Sequence, residues 1–112
     1  MIAARVATAL GDAAAVVAVT ADGTGESALH GVRAAVSAGR ESVLVIIEQD
    51  VAAIHRAMLR AAIGPLAIES APASRINALD IAAGAAADAV IAAAIFLAHA
   101  HSTTGQVIEV SL

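Results

Sequence analysis

Residues 42–48, Ser-Val-Leu-Val-Ile-Ile-Glu, constrain the fold of this chain more than any other stretch. Val43, Leu44, Val45, Ile46 and Ile47 leave no polar face, although side chains along a strand alternate between the two sides of a sheet. A strand of this kind needs cover on both faces, the condition met by strands of parallel α/β sheets.

The other segments alternate around it. Residues 12–20 form a second uninterrupted apolar run, 75–81 (Arg-Ile-Asn-Ala-Leu-Asp-Ile) a third strand, and 106–112 a closing strand. Helical patterns fill the gaps. Residues 1–11 space Ile2, Val6 and Leu10 four apart before Gly11. Residues 26–38 carry a solvated stripe of Glu26, His30, Arg33 and Ser37 beside apolar Leu29, Val32, Ala35 and Val36, and Gly39 ends them. Asp50 is placed to cap a third helix through Val51, Ile54, Met58, Leu59 and Ile63. Gly64-Pro65 should kink that helix or divide it into two pieces ending near Ser70, because proline removes a donor and crowds the preceding turn. Residues 85–98 complete the set. Strand-helix alternation implies right-handed crossovers. The expected fold is α/β: a half Rossmann-type three-layer sandwich of four parallel strands with helices on both faces, residues 1–112 forming one domain.

Composition narrows what such a domain can do. Hydrophobic residues make up 60% of the chain, yet 33 residues are alanine, and Phe96 is the only aromatic anchor. Stability is therefore expected to draw on faces buried against another subunit. Without cysteine there is no disulfide framework or thiolate metal site. A net charge of −4, with six scattered arginines and no lysine, argues against nucleic acid. The apolar stretch 81–98 carries Asp88 near its middle and is too alanine-rich for favourable insertion, so it reads as a buried globular helix. The first dozen residues carry Arg5 and Asp12 and do not resemble a signal peptide, so a cytoplasmic location is expected.

Several residue groups are candidates for chemistry. Gly23-Thr24-Gly25-Glu26-Ser27-Ala28 fits G-x-G-x-x-A between a strand and a helix, and Glu48 ends the next strand. That is the placement of a dinucleotide fingerprint, with Gly23, Gly25 and Ala28 at the phosphates and Glu48 on a ribose. The competing reading is a flexible loop whose Glu26 complements the helix dipole and would repel phosphate. Glu48, Asp50 and His55 could form an acid/base group, or simply cap and solvate a helix start. His99 and His101 have the spacing of a chelating pair, but no third ligand lies nearby, and a helix-terminal charge explains them as well. Asp88 suits the first turn of the last helix.

Longer motifs carry a family resemblance. Glu69-Ser70-Ala71-Pro72 followed by Arg75-Ile76-Asn77-Ala78, then Ala87-Asp88-Ala89-Val90 through Phe96-Leu97-Ala98, and finally Thr104-Gly105-Gln106-Val107-Ile108-Glu109-Val110, resemble in order and spacing the C-terminal half of short-chain dehydrogenases/reductases. Leu29-His30-Gly31-Val32 and Ser42-Val43-Leu44-Val45-Ile46 resemble the helix and strand before that family's active site, so the resemblance spans about residues 15–112.

The resemblance also shows what is absent. The family's tyrosine acid/base and the lysine four residues on fall at Ala52 and Arg56, and the chain has neither residue type. Arginine keeps a charge there but is a poor substitute beside a proton donor. Glu48, Gln49 and Asp50 stand where a serine belongs, and Ile81-Ala82 replaces a nicotinamide-contacting Pro-Gly. The glycine-rich opening strand has no counterpart, and the strand at 12–20 becomes an edge that the absent half would cover; something is expected to lie against it. No cofactor is expected on this chain alone.

The resemblance thus implies a truncated, non-catalytic subunit that oligomerises, with itself or with a full-length reductase, and is expected to brace the active site of such a complete partner. Its contacts would use the helices 26–38 and 51–70, and a second set the last helix and strand. The alternatives are a nucleotide- or CoA-type anion binder, with NAD(P) as a possible ligand of the 23–28 loop, and a residual oxidoreductase active only in a complex.

Overall fold

The computed structural model describes residues 2–111. Its elements are α1 (Ile2–Leu10), one 3-10 turn (Gly11–Ala13), β1 (Ala15–Val19), α2 (Gly25–Ser37), β2 (Ser42–Ile47), α3 (Ala53–Ser70), β3 (Arg75–Ile81), α4 (Ala87–His99) and β4 (Val107–Val110). The four strands are all parallel and lie in the order β1-β2-β3-β4. This is the half Rossmann-like α/β sandwich that the alternation predicts.

Every residue of β2 is buried, and its side chains divide by parity. Leu44 and Ile46 join Leu79, Ile81 and Val110 under α1 and α4. Val43, Val45 and Ile47 join Ile76 and Ala78 under α2 and α3. Each fully buried aliphatic side chain contributes about 1.5–3 kcal/mol, so these two layers hold the sheet between its helices.

The differences from the sequence reading are local. Gly11 takes a positive φ of 53° and Gly11–Ala13 wind into the 3-10 turn, so β1 starts at Ala15 and not at residue 12. The strand at 42–48 ends at Ile47, and β4 occupies only Val107–Val110 of the expected 106–112. Met1 and Leu112, the outer ends of the first expected helix and last expected strand, lie outside the described residues.

Asp50 does not cap α3. It is exposed in a turn, and the N-cap position belongs to Ala52, which makes no side-chain cap bond. Val51 is buried ahead of the helix, while Ile54 and Met58 face outward. Nor does Gly64-Pro65 divide the helix: α3 runs as one element of 18 residues with Pro65 inside. Pro65 and Ala61 are both exposed, so the carbonyl that loses its intrahelical donor can be satisfied by water. In α2, Thr24 caps the Ser27 N–H at 3.0 Å, and the stripe Glu26, His30, Arg33 and Ser37 is exposed as read. No described helix is long and apolar enough to cross a membrane.

The polar turn before β4 is pinned to β3 by the residues that carry the family resemblance. Asn77 is 1% exposed; its Nδ2 donates to the Thr103 carbonyl at 3.1 Å and its Oδ1 accepts from the Gln106 N–H at 3.1 Å. The Ile76 N–H donates to Thr104 Oγ1, and the Gly105 N–H donates to the Ile76 carbonyl. Asn77→Ala removes both bonds from a buried side chain to the half-buried turn. The loss of two hydrogen bonds is expected to lower stability by about 1–2 kcal/mol in urea unfolding.

Candidate functional site

In open parallel sheets ligands bind beyond the carboxyl ends of the strands. Here that edge carries a cleft of about 260 Å³ lined by Gln49, Arg56, Asp80, Ile81, Ala82, Ala83 and Glu109. Four elements build it: the turn after β2, the start of α3, and the ends of β3 and β4.

The floor is an ion-pair network. Asp80 lies in β3 with its side chain 7% exposed, and each carboxylate oxygen pairs with a different arginine of α3, Arg56 through Oδ1 and Arg60 through Oδ2. The two arginines are four apart, so they share a helix face turned toward the strand. Arg56 makes a further bond, donating Nη2 to the Glu48 carbonyl at 2.7 Å. Fixed by two acceptors, the Asp80 carboxylate and the Glu48 carbonyl, its guanidinium ties α3 to β3 and to the end of β2. The side chain of Gln49 accepts from the Gly84 N–H at 3.4 Å and closes the cleft's far side.

The chain belongs to the short-chain dehydrogenase-like family. Its family model, described as "Short chain dehydrogenase-like protein", matches residues 8–110. No curated protein and no solved structure gives a match. Ala52, which the resemblance led us to expect at the tyrosine position, is exposed at the N-cap of α3, one turn before Arg56.

The remaining sequence candidates are dispersed. Glu48 is buried and its Oε1 accepts the Ala3 N–H at 3.0 Å, so it complements the start of α1 on the α1/α4 side of the sheet. His55 lies on the opposite side, where Nδ1 accepts the Gly25 N–H at 3.3 Å. Asp50 is exposed. Glu48, Asp50 and His55 therefore do not converge on one reacting atom.

The 23–28 loop does join β1 to α2, but the N–H groups of both its glycines already have partners. Gly25 N–H is bonded to His55, Ser27 N–H to Thr24, and Gly23 N–H to the Thr20 carbonyl at 2.9 Å. Gly25 and Ala28 are buried, and a side chain at Gly25 would meet Met58 at 3.5 Å. Glu48, on the other side of the sheet, is not aimed at this loop. His99 and His101 are exposed, and no group of metal-ligating residues occurs among the described residues. Asp88 sits in the first turn of α4, as read, with Arg5 at 4.0 Å.

Sequence reasoning missed Asp80 and Arg60. A signal was present: a lone acid in the apolar run 75–81 needs a cationic partner once its strand is buried. Arg56 and Arg60, spaced four apart on one helix, were the available pair. Arg75 was also missed as a functional group in the fold. Its guanidinium donates to the carbonyls of Leu97, Ala98 and Ala100 and so closes the C-terminus of α4.

Proposed function

We propose that this chain is a non-catalytic, short-chain-dehydrogenase-like subunit whose task is to assemble, with α3 as its principal contact. The observation that carries the first half is the fate of Arg56. At the tyrosine position there is no proton donor, and the cation beside it is neutralised by Asp80 and held to the Glu48 carbonyl. A guanidinium so occupied is not free to tune a neighbouring hydroxyl or to hold a ribose, and Ala52→Tyr alone would meet a cation already engaged.

The second half draws on the outer face of α3. Ile54 is 68% exposed, Met58 48% and Ile68 81%, and exposed Ala61 and Pro65 lie between them. Their spacing of four, three, four and three makes a continuous apolar seam along the helix. The seam is also nearly palindromic about Ala61. Laid antiparallel on a second copy, Ile54 meets Ile68 of that copy and the two Ala61 methyls meet at the crossing. Self-complementarity of this kind is what a two-fold contact requires. Burying such side chains gains about 1.5–3 kcal/mol each, against an association cost of at least about 4 kcal/mol. The contact is therefore close enough to balance for two charges to abolish it. Ile95 and Phe96 on α4 are exposed as well and offer a second surface.

The test has two arms. Hydride transfer from NADH or NADPH to carbonyl substrates should be absent from the purified chain; turnover that Arg56→Ala removes would sink the non-catalytic reading. Ile54→Glu/Ile68→Glu should lower the solution mass while leaving the circular dichroism of the fold unchanged. An unaltered mass would refute the assignment to α3.

A further inference from the structure

We infer that His55 of one copy donates its Nε2–H to Glu69 of a second copy, a polar pair made twice about the two-fold axis at Ala61. This rests on the α3 reading above and names the groups that select a second copy of this chain over any other apolar helix.

Each side chain is only half used within one chain. His55, half-buried in the first turn of α3, accepts the Gly25 N–H through Nδ1 at 3.3 Å. A neutral imidazole that accepts at one nitrogen carries its proton on the other, so Nε2 is a donor. It has no acceptor among the described residues. Glu69, exposed near the end of the same helix, accepts from Arg33 Nη1 at 2.8 Å through Oε1. Its Oε2 has no donor among the described residues.

The bonds already made fix where the two groups lie. Gly25 and Arg33 both belong to α2, so His55 and Glu69 share the flank of the Ile54–Ile68 seam that is turned toward α2. A two-fold axis perpendicular to two antiparallel helices keeps each flank on its own side, so this flank of one copy adjoins the same flank of the other. With the axis at Ala61, Glu69 falls level with Ala53 of the second copy. His55 of that copy is two residues away, about 3 Å along the helix. Alanine at the crossing lets the helix axes approach to about 8 Å, a gap that a glutamate and a histidine reaching from either side can close.

The helix dipoles favour the same pairing. Glu69 is an acid in the last turn of α3, where the dipole disfavours one, while the first turn has neither an acid nor a side-chain cap. Antiparallel docking sets the acid of each copy beside the uncapped helix start of the other. Two copies supply together the complement that one chain lacks.

Mixing two variants separates a bond between copies from a role within one. His55→Asn keeps an acceptor at the δ position for the Gly25 N–H but has no Nε2, and Glu69→Ala removes the carboxylate. Each should raise the dimer dissociation constant about tenfold, because each deletes both symmetric pairs. The double variant should be no weaker than either single one. An equimolar mixture of the two single variants regains one intact pair in the mixed dimer and none in either homodimer. Native mass spectrometry should therefore show mixed dimers above the statistical proportion, held about threefold more tightly than the homodimers. Mixed dimers at the statistical proportion, with Ile54→Glu/Ile68→Glu still dispersing the wild-type dimer, overturn this inference and leave the α3 reading standing. A dimer that survives Ile54→Glu/Ile68→Glu, or a wild-type chain that forms none, overturns both.

Discussion

Asp80→Ala is expected to destabilise the protein by about 3 kcal/mol or more, the largest effect of any single polar substitution in the sheet. The carboxylate lies in the interior strand β3 and balances two guanidiniums. Removing it leaves Arg56, whose side chain is only 21% exposed, without its charge partner and still bound to the Glu48 carbonyl. Arg60 is nearer to solvent and can turn outward, so most of the loss falls on Arg56. Asp80→Asn keeps the shape and part of the hydrogen bonding but not the charge, and should cost less than Asp80→Ala. Urea unfolding of the two variants measures the difference. A loss below about 1 kcal/mol for Asp80→Ala would place the network among ion pairs of the solvated surface kind.

Arg75→Ala is expected to cost about 2–4 kcal/mol, concentrated at the end of α4. Helix C-termini leave carbonyls without intrahelical donors, and one guanidinium supplies three of them here, at 2.9–3.2 Å. The adjacent turn hangs on the same strand through Ile76 and Asn77. Faster amide exchange in residues 99–106, with β1 and β2 unchanged, would localise the effect. Arg75→Lys should recover little, because a single ammonium cannot span carbonyls on both sides of the helix end.

The fold was legible because its strands are apolar on both faces and its helices are not. β2 needed no context: an all-aliphatic run of that length has few other homes. Parity then placed Leu44 and Ile46 in one layer and Val43, Val45 and Ile47 in the other. The polar stripe of α2 was equally plain. What the sequence obscured were features set by neighbours. Asp50 looked like a cap, but the turn places Ala52 at the helix start. Pro65 looked like a break, but an outward-facing proline leaves its unpaired carbonyl to water.

The site was legible only in its absences. The resemblance sets Ala52 and Arg56 where a tyrosine and a lysine are expected, yet nothing local shows that Arg56 is claimed by Asp80, which lies 24 residues on. Glu48 and His55, close in sequence, separate because one follows β2 facing α1 and the other lies in the first turn of a helix facing α2. Residues that carry the family resemblance, Arg75, Asn77 and Thr104-Gly105, turned out to hold the tail against β3. They serve the architecture whether or not chemistry is present.

Sedimentation equilibrium of the wild-type chain beside Ile54→Glu/Ile68→Glu tests the central claim most directly. The wild-type mass is expected to be a multiple of 11.0 kDa and that of the variant a smaller multiple. A wild-type protein that sediments as a single 11.0 kDa species across the accessible concentration range would contradict it.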